Sequence, residues 1–529
     1  MKKAISLLLA VIMALGVLTG CGAKTTSGEG NVLKVGIPVK STVSDYEDNA
    51  FTNYLEEKAG IEIEFVHFAN TAGESKKQLA LMCGADEELP DVMIGFEFGH
   101  YVMNQYGEDG YFLDLTEYID KYGKNYKKAL DTLEGDLKEY ILEKSVNTND
   151  NGIYGLPRVI CTAGDDLQSM LHINNEWLNK VGMSVPTTPD ELRAVLQAFM
   201  TKDPNGNGEP DEIAMLGGAG IQYFLINSFV YFDAGRFNVT DGQVWDPVKT
   251  DEFRQALIYG NKMVKDGLYS SLSFTVKSES EYKNMISPAN GPSKVGIFAG
   301  RASSLTADDS DVLSQFSALP SLKDSTGKGG YTVIVERKID WTAHITKDCE
   351  NPELAMKFLD LFYTDEAVTF QRHGKEGTDW VREEGKNSMG TDSYIKVTNA
   401  EAFFSGNSTW NKNMLGIMTH QNYLQISQAD AEGRTGDLSR IGLEHVAIQK
   451  NGTQPDERCI YLVYTTEEYE IQEEKQSACN TYLTEMIAKF FAGEQDPAND
   501  TDWNTFLANL EKLGRSDLMK VAQDAYSRK

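Results

Sequence analysis

Residues 32–68 read VLKVGIPVKSTVSDYEDNAFTNYLEEKAGIEIEFVHF, and the order of patterns in this stretch sets the expectation for the fold. VLKVGI (Val32–Ile37) alternates as a short strand, and IEIEFVHF (Ile61–Phe68) alternates more strongly. Successive strand side chains face opposite sides, so a half-buried strand repeats with period two. Between them FTNYLEEKAG reads as a helix closed by Gly60, because glycine adopts the left-handed backbone of a helix end without a Cβ clash. Strand, helix and strand make a β-α-β unit. KKQLALMCGAD follows as a second helix and PDVMIGF as a buried strand led by Pro90. An α/β sheet with helices on its faces is therefore expected.

Upstream of this unit the chain opens MKKAISLLLAVIMALGVLTGCGAKTTSGEG. Lys2 and Lys3 precede an uncharged, mostly apolar run to Gly20, with no basic cluster after it, which is the pattern of a secretory signal. The small residues before Cys21 resemble a bacterial lipobox, implying cleavage before Cys21 and a lipid on its thiol. The small, polar GAKTTSGEGN after it suits a flexible tether. Loss of Lys2 and Lys3 takes the net charge from −29 to −31, a surface that repels phosphate backbones and excludes a nucleic-acid partner. The 41% hydrophobic content supports packed cores, and the length of 529 residues calls for two or more lobes.

Besides Cys21, the cysteines Cys83, Cys161, Cys349, Cys459 and Cys479 are widely spaced and form no Cys/His cluster. They are expected as buried free thiols rather than zinc ligands or a disulfide framework. His344, Trp177 and Trp503 are expected in cores. ENPELAMKFLDLFYTDEA reads as a helix capped by Asn351 with Pro352 in its first turn. NTYLTEMIAKFFAGE reads as another that stops at Gly493, followed by a helix pair broken at Gly514.

Four segments carry a family resemblance in this order: Gly110–Leu130, Ile173–Phe199, Ile345–Ala367 and Asp502–Gly514. The most specific part is EWLNKVGMSVPTTPDEL, in which Thr187 or Thr188 can cap the helix opened by Pro189. Together they resemble the extracellular solute-binding lipoproteins of carbohydrate ABC importers, the group that includes alginate-oligosaccharide-binding proteins. Asn174-Asn175-Glu176-Trp177 stands where many members have Arg-Lys-Asp-Trp. The resemblance implies a periplasmic-binding-protein-like α/β fold of two lobes, with a hinge, an interlobe cleft and a helical C-terminal extension. It suggests a signal peptide at 1–20 and a lipidated tether at 21–31. A first lobe is expected from 32–165 with 330–395, and a second from 166–329 with 396–529.

Thr201–Ile213, TKDPNGNGEPDEI, resembles the opening of an EF-hand loop. Asp203, Asn205 and Asn207 alternate toward one point, Gly208 permits the sharp turn, and Glu209 would offer its carbonyl. The twelfth position is Ala214 instead of the usual Glu, so Asp211 and Glu212 would have to close the sphere, as in the alginate-binding members. Calcium is the expected ion, and its role structural: a fold staple, with no base or open position for catalysis. The alternative is a solvated Asn-Gly turn.

A sugar site wants flat aromatic rings edged by hydrogen-bonding or charged groups. Phe96, Phe98 and Tyr101 follow a strand and could lie at its carboxyl end, where open α/β sheets bind ligands. Arg158 in IYGLPR, Tyr223 in GAGIQYF and Arg301 in VGIFAGR are further candidates, with Glu376 and Trp380 in RHGKEGTDW and Trp410 in STWNKN. Phe96 and Phe98 also alternate like core residues, and Arg301 could serve a hinge ion pair. The reading that follows is a monomeric, lipid-anchored, extracytoplasmic binding protein, with the outer face of a single-membrane cell favoured. It would capture an oligosaccharide by lobe closure and pass it to a membrane permease, without breaking a bond. The rivals are a non-sugar solute such as a peptide, or a surface-anchored glycosidase with paired carboxylates.

Overall fold

The structure is a computed structural model that describes residues 32–133, 137–160, 167–276, 278–307, 311–335, 339–386, 392–399, 406–410, 413–419, 422 and 433–529. The expected signal peptide, the tether with Cys21, and Cys161 lie outside the described residues.

The first strands are β1 (Val32–Pro38), β2 (Glu62–Phe68), β3 (Val92–Phe98) and β4 (Leu156–Ile160). β1 pairs in parallel with β2 in unbroken register from Val32↔Glu62 to Pro38↔Phe68, and with β3 on its other side. Helix α1 (Ala50–Ala59) connects β1 to β2. Asn49 caps it by accepting the amide of Phe51. Gly60 ends it at φ 65°, as the sequence pattern predicts. Helix α2 (Ala72–Gly84) leads into β3, from which α3 (His100–Glu108) starts directly. Helix α4 (Leu137–Ser145) precedes β4.

The chain then crosses to a second sheet built from β5 (Leu171–Asn174), β6 (Ile213–Leu216), β9 (Val295–Ala299) and β10 (Phe316–Ala318), in the order β10-β5-β9-β6. Between β5 and β6 lie α5 (Asn175–Val181) and α6 (Pro189–Thr201). Their ends follow from the residues: Asn174 accepts the Trp177 amide, Gly182 closes α5 at φ 72°, and Thr188 accepts the Glu191 amide with Pro189 in the first turn. Helix α7 (Ala219–Asn227) follows β6, and a small hairpin pairs β7 (Asn238–Thr240) with β8 (Gln243–Trp245).

The chain returns to the first sheet as β11 (Asp340–Ile345), antiparallel to both β3 and β4. Helix α8 (Pro352–Leu361), capped by Asn351, covers that sheet. A hairpin of β12 (Trp380–Lys386) and β13 (Asp392–Val397) precedes β14 (Gly416–Met418). β14 pairs in parallel with β4 and completes the order β14-β4-β11-β3-β1-β2. Trp410, Leu415 and Ile417 belong to the same core as β1 and β3. The stretch around 410–418, expected in the second lobe, thus packs in the first, because β4 leaves an edge that β14 fills. The last helices are α9 (Gly433–Asn451), α10 (Thr466–Ala492), α11 (Asp500–Lys512) and α12 (Arg515–Tyr526). Leu483, Met486 and Phe490 of α10 and Trp503 and Phe506 of α11 join the core of the second sheet with Trp177, Phe199 and Ile297.

His344 sits in the first core, its Nδ1 2.8 Å from the Tyr154 carbonyl, and Cys83, Cys349, Cys459 and Cys479 are buried free thiols. No helix among the described residues is long and apolar enough to cross a membrane.

Candidate functional site

The strand directions bring functional groups to one edge of the first sheet. β3, β4 and β14 run the same way, and β11 runs against them, so Phe98, Ile160, Met418 and the start of β11 at Asp340 share one edge. At that edge Arg158 is tied down: its guanidinium lies 3.0 Å from Glu97 and 3.6 Å from Asp340. Glu97, Arg158 and Asp340 thus form an ion-paired triad on three adjacent strands.

Beside this edge a cavity of about 350 Å³ opens between α3 and α4 of the first lobe and the C-terminal part of the second. The first lobe contributes His100, Tyr140 and Lys144. The second contributes the loop Ala234–Phe237, the stretch Cys459–Tyr464 and one face of α10. Aromatic contacts join the two sides. Tyr101 stacks on Tyr469 with ring centroids 4.6 Å apart at 17°, His100 meets Tyr469 edge-on at 5.4 Å, and Tyr140 packs on Tyr461 at 4.9 Å. The Lys144 ammonium lies 5.4 Å from the Tyr464 ring and 5.9 Å from Tyr140. Burial, and then the Lys144 charge, push His100 down to about 3, so its ring is neutral. Tyr461 holds a left-handed backbone at φ 54°, costly for an aromatic residue, and it does so at the wall between the lobes. The floor is fixed by Arg515, which is 2% exposed. Its guanidinium is bidentate to Asp246 at 2.8 and 2.9 Å and donates to the Gly235 carbonyl at 2.7 Å. That bond pins the loop Ala234–Phe237 in place. A smaller hollow of about 90 Å³ adjoins, shares His100, Lys144, Tyr464 and Tyr469, and reaches Tyr101 and Asn104, whose buried Oδ1 lacks a partner.

The candidates chosen from sequence are distributed differently. Tyr101 lies at this site, and Arg158 on the strand edge beside it. Phe96 and Phe98 are corrected to core residues, each 1% exposed, because β3 is covered on both faces; Phe96 meets Phe68 edge-on at 4.9 Å. Trp410 is likewise core, 1% exposed among Phe51, Phe65 and Phe362, with its indole N–H donating to the Thr52 hydroxyl. Trp380 is buried at the start of β12 and donates to the Gly374 carbonyl. Glu376 is exposed and paired with Arg382 at 3.6 Å. Tyr223 stands in α7, not in a loop, half-buried against Phe232, and does not line the cavity. Arg301 is exposed just after β9, at the N-terminus of a one-turn helix. The residues that sequence reasoning missed are Tyr140, Lys144, Tyr461, Tyr464, Tyr469 and the polar face of α10. A tyrosine at 461, 464 and 469 in IYLVYTTEEY was the available signal.

The loop Thr201–Ile213 forms the turn its glycines suggest, with Gly206 and Gly208 at φ 74° and 78°. Asp203 accepts the amides of Gly206 and Gly208, Asn205 that of Asn207, and Asn207 that of Glu209. The Asn205 and Asn207 side-chain amides both donate to Asp211, which also pairs with Lys294 at 2.9 Å. Glu212 is nearly buried, its Oε1 has no partner, and burial together with the nearby Asp203 and Asp211 charges raises its pKa. Crowded carboxylates and an orphaned oxygen fit a cation. Among the described residues, however, no group of three or more His, Cys, Asp or Glu side chains already stands arranged to hold one.

Two sheets joined by repeated crossings, with an aromatic cavity at their junction, define the class of two-lobed binding proteins. The chain belongs to the bacterial extracellular solute-binding protein family, whose model matches residues 40–369. It is 23% identical to the fructooligosaccharide ABC transporter substrate-binding protein FusA of Streptococcus pneumoniae, over 97% of this chain and 96% of that one. It is 26% identical to the lipoprotein LipO of Bacillus subtilis, over 99% and 98%. Among solved structures, an extracellular solute-binding protein of Bifidobacterium longum subsp. infantis superposes with a TM-score of 0.74 at 20% identity, covering 95% of this chain and 99% of that one. An EF-hand mutant of FusA with fructo-nystose gives 0.68 at 19% identity, over 94% and 99%. The alginate-binding protein AlgQ2 without calcium ion gives 0.61 at 19% identity, over 95% and 99%.

Proposed function

We propose that the protein captures an extracytoplasmic oligosaccharide in the interlobe cavity and delivers it to the permease of an ABC importer. The observation that carries this reading is the cavity itself. It holds about 350 Å³ walled by tyrosines from both lobes, on a chain whose full-length relative FusA is named for fructooligosaccharides. Tyrosine faces suit the C–H surfaces of sugar rings, and their hydroxyls suit the sugar edges. Because both lobes line the cavity, ligand contacts favour the closed arrangement, and the free energy of binding does the conformational work. No bond is broken in this reading: the carboxylates at the strand edge, Glu97 and Asp340, are both engaged by Arg158.

The finer parts of the proposal rest on the sequence and the named relatives. Cys21 carries a lipid that holds the monomer at the outer face of the membrane, in keeping with LipO. Asp203, Asn205, Asn207, Glu209, Asp211 and Glu212 hold a calcium ion that would staple the connection between α6 and β6. The orphaned Glu212 oxygen supports that assignment.

Calorimetric titration of the mature chain with oligosaccharides, followed by chromatography of the recovered sugar, tests the reading. One-to-one binding with intact sugar is expected. Binding of peptides but no sugar, or recovery of cleaved sugar, would overturn it.

A further inference from the structure

The charges around the cavity are already spoken for. Arg158 faces two carboxylates, Arg236 pairs with Asp233 at 3.2 Å, and Arg515 is bidentate to Asp246. The Lys144 ammonium sits against the faces of Tyr140 and Tyr464. A carboxylate entering this space would lose its water and meet guanidinium groups that already hold carboxylate partners, in a protein of net charge −29.

The opposite holds for neutral hydrogen-bonding groups. Gln472, Gln476 and Asn480 recur every four residues along α10, so they share one face of the helix, and all three line the cavity. None of the three side-chain amides bonds to the protein, although Gln472 is only 7% exposed. With no protein partner among the described residues, these amides face the cavity and stay available to hydrogen-bond a ligand. An amide donates and accepts at once, as a sugar hydroxyl does, whereas a carboxylate only accepts. Tyr461, Tyr464 and Tyr469 lie against the same space and supply ring faces.

We propose that the cavity selects neutral oligosaccharides over uronate-containing ones, with Gln472, Gln476 and Asn480 of α10 reading the sugar hydroxyls. The proposal rests on the oligosaccharide reading above and names its substrate class. Gln476 is exposed and Asn480 half-exposed, so the double variant Gln476→Leu/Asn480→Leu keeps the fold, which a thermal melt verifies.

The test is calorimetry on the mature chain with length-matched panels. The neutral panel holds fructo-, malto- and manno-oligosaccharides, and the acidic panel oligogalacturonate and oligoalginate. At least one neutral sugar binds, the acidic panel binds about a hundredfold more weakly or not at all, and the double variant weakens the neutral sugar by about tenfold or more. Tighter binding of a uronate, or an unchanged Kd in the double variant, overturns the class assignment while leaving the oligosaccharide reading intact. Failure of both panels overturns the oligosaccharide reading itself. Should the double variant unfold, Gln476→Leu alone carries the same expectation of weaker binding.

Discussion

Tyr101 and Trp410 show what a single side chain can and cannot announce. Both are aromatic residues near polar neighbours in sequence, yet Tyr101 stacks across the lobes on Tyr469 while Trp410 lies 1% exposed in a core. The difference is set by partners distant in the chain, Phe51, Phe65 and Phe362 for Trp410, which no local pattern reveals. Trp410→Ala should therefore cost about 3–5 kcal/mol of stability in urea denaturation. The affinity of the surviving folded protein for its ligand should stay within about threefold. Tyr469→Ala should do the reverse. It removes a stacked pair between the lobes, a stability loss of only about 0.5–1.5 kcal/mol, and it also takes a ring from the cavity wall, so ligand binding should weaken by more than about threefold. Phe96 and Phe98 were legible as strand residues, but the burial of both depended on β3 lying between β1 and β11, which is a property of the sheet.

Among the elements, those with strong local chemistry were readable from the chain. Gly60, Thr188, Asn351 and Gly493 end or start helices where their side chains, or the lack of one, require it. β14 was not, since a three-residue strand is defined by the open edge of β4. Nor was the cavity face of α10, because three polar residues spaced by four on a long helix look like a solvated stripe until the facing lobe is known. The loop Ala234–Phe237 depends on Arg515, whose ion pair with Asp246 is 2% exposed on both sides. Arg515→Ala strands the Asp246 charge and should cost about 3–5 kcal/mol, measured by chemical denaturation. Replacing both partners, Arg515→Met with Asp246→Leu, should recover most of that loss, since neither residue then leaves a buried charge. If the double variant is as unstable as the single one, the role assigned to the pair is wrong.

At the scale of the whole molecule, pH should act through buried histidines of both lobes, and the proposed calcium through its loop. Burial is the main cause that holds His100, His172 and His373 near 3 and His344 and His445 near 4, below the usual 6.5. These rings are neutral when folded and take up protons once unfolded. Their contribution is fully present above about pH 6.5 and is lost as pH falls toward 4 and then 3, at about 1.4 kcal/mol per pH unit for each ring. Thermal melts should fall steeply between pH 6 and 4, and a flat profile would contradict the neutral burial of these rings. Calcium should raise the melting temperature of the wild type but not that of Glu212→Gln, and a chelator should reverse the gain. The two-lobed plan was legible because 529 residues exceed one typical core and four segments resemble a two-lobed family. The meeting of Tyr101 with Tyr469, 368 positions apart by their numbers, was not. The central claim is that this junction is where ligand sits, and blocking it tests that most directly. Gln476→Trp should fill the cavity from an exposed position without disturbing either core. In side-by-side calorimetric titrations with the neutral panel, the wild type should bind one sugar per chain and the folded Gln476→Trp variant none; equal binding by both would place the site elsewhere.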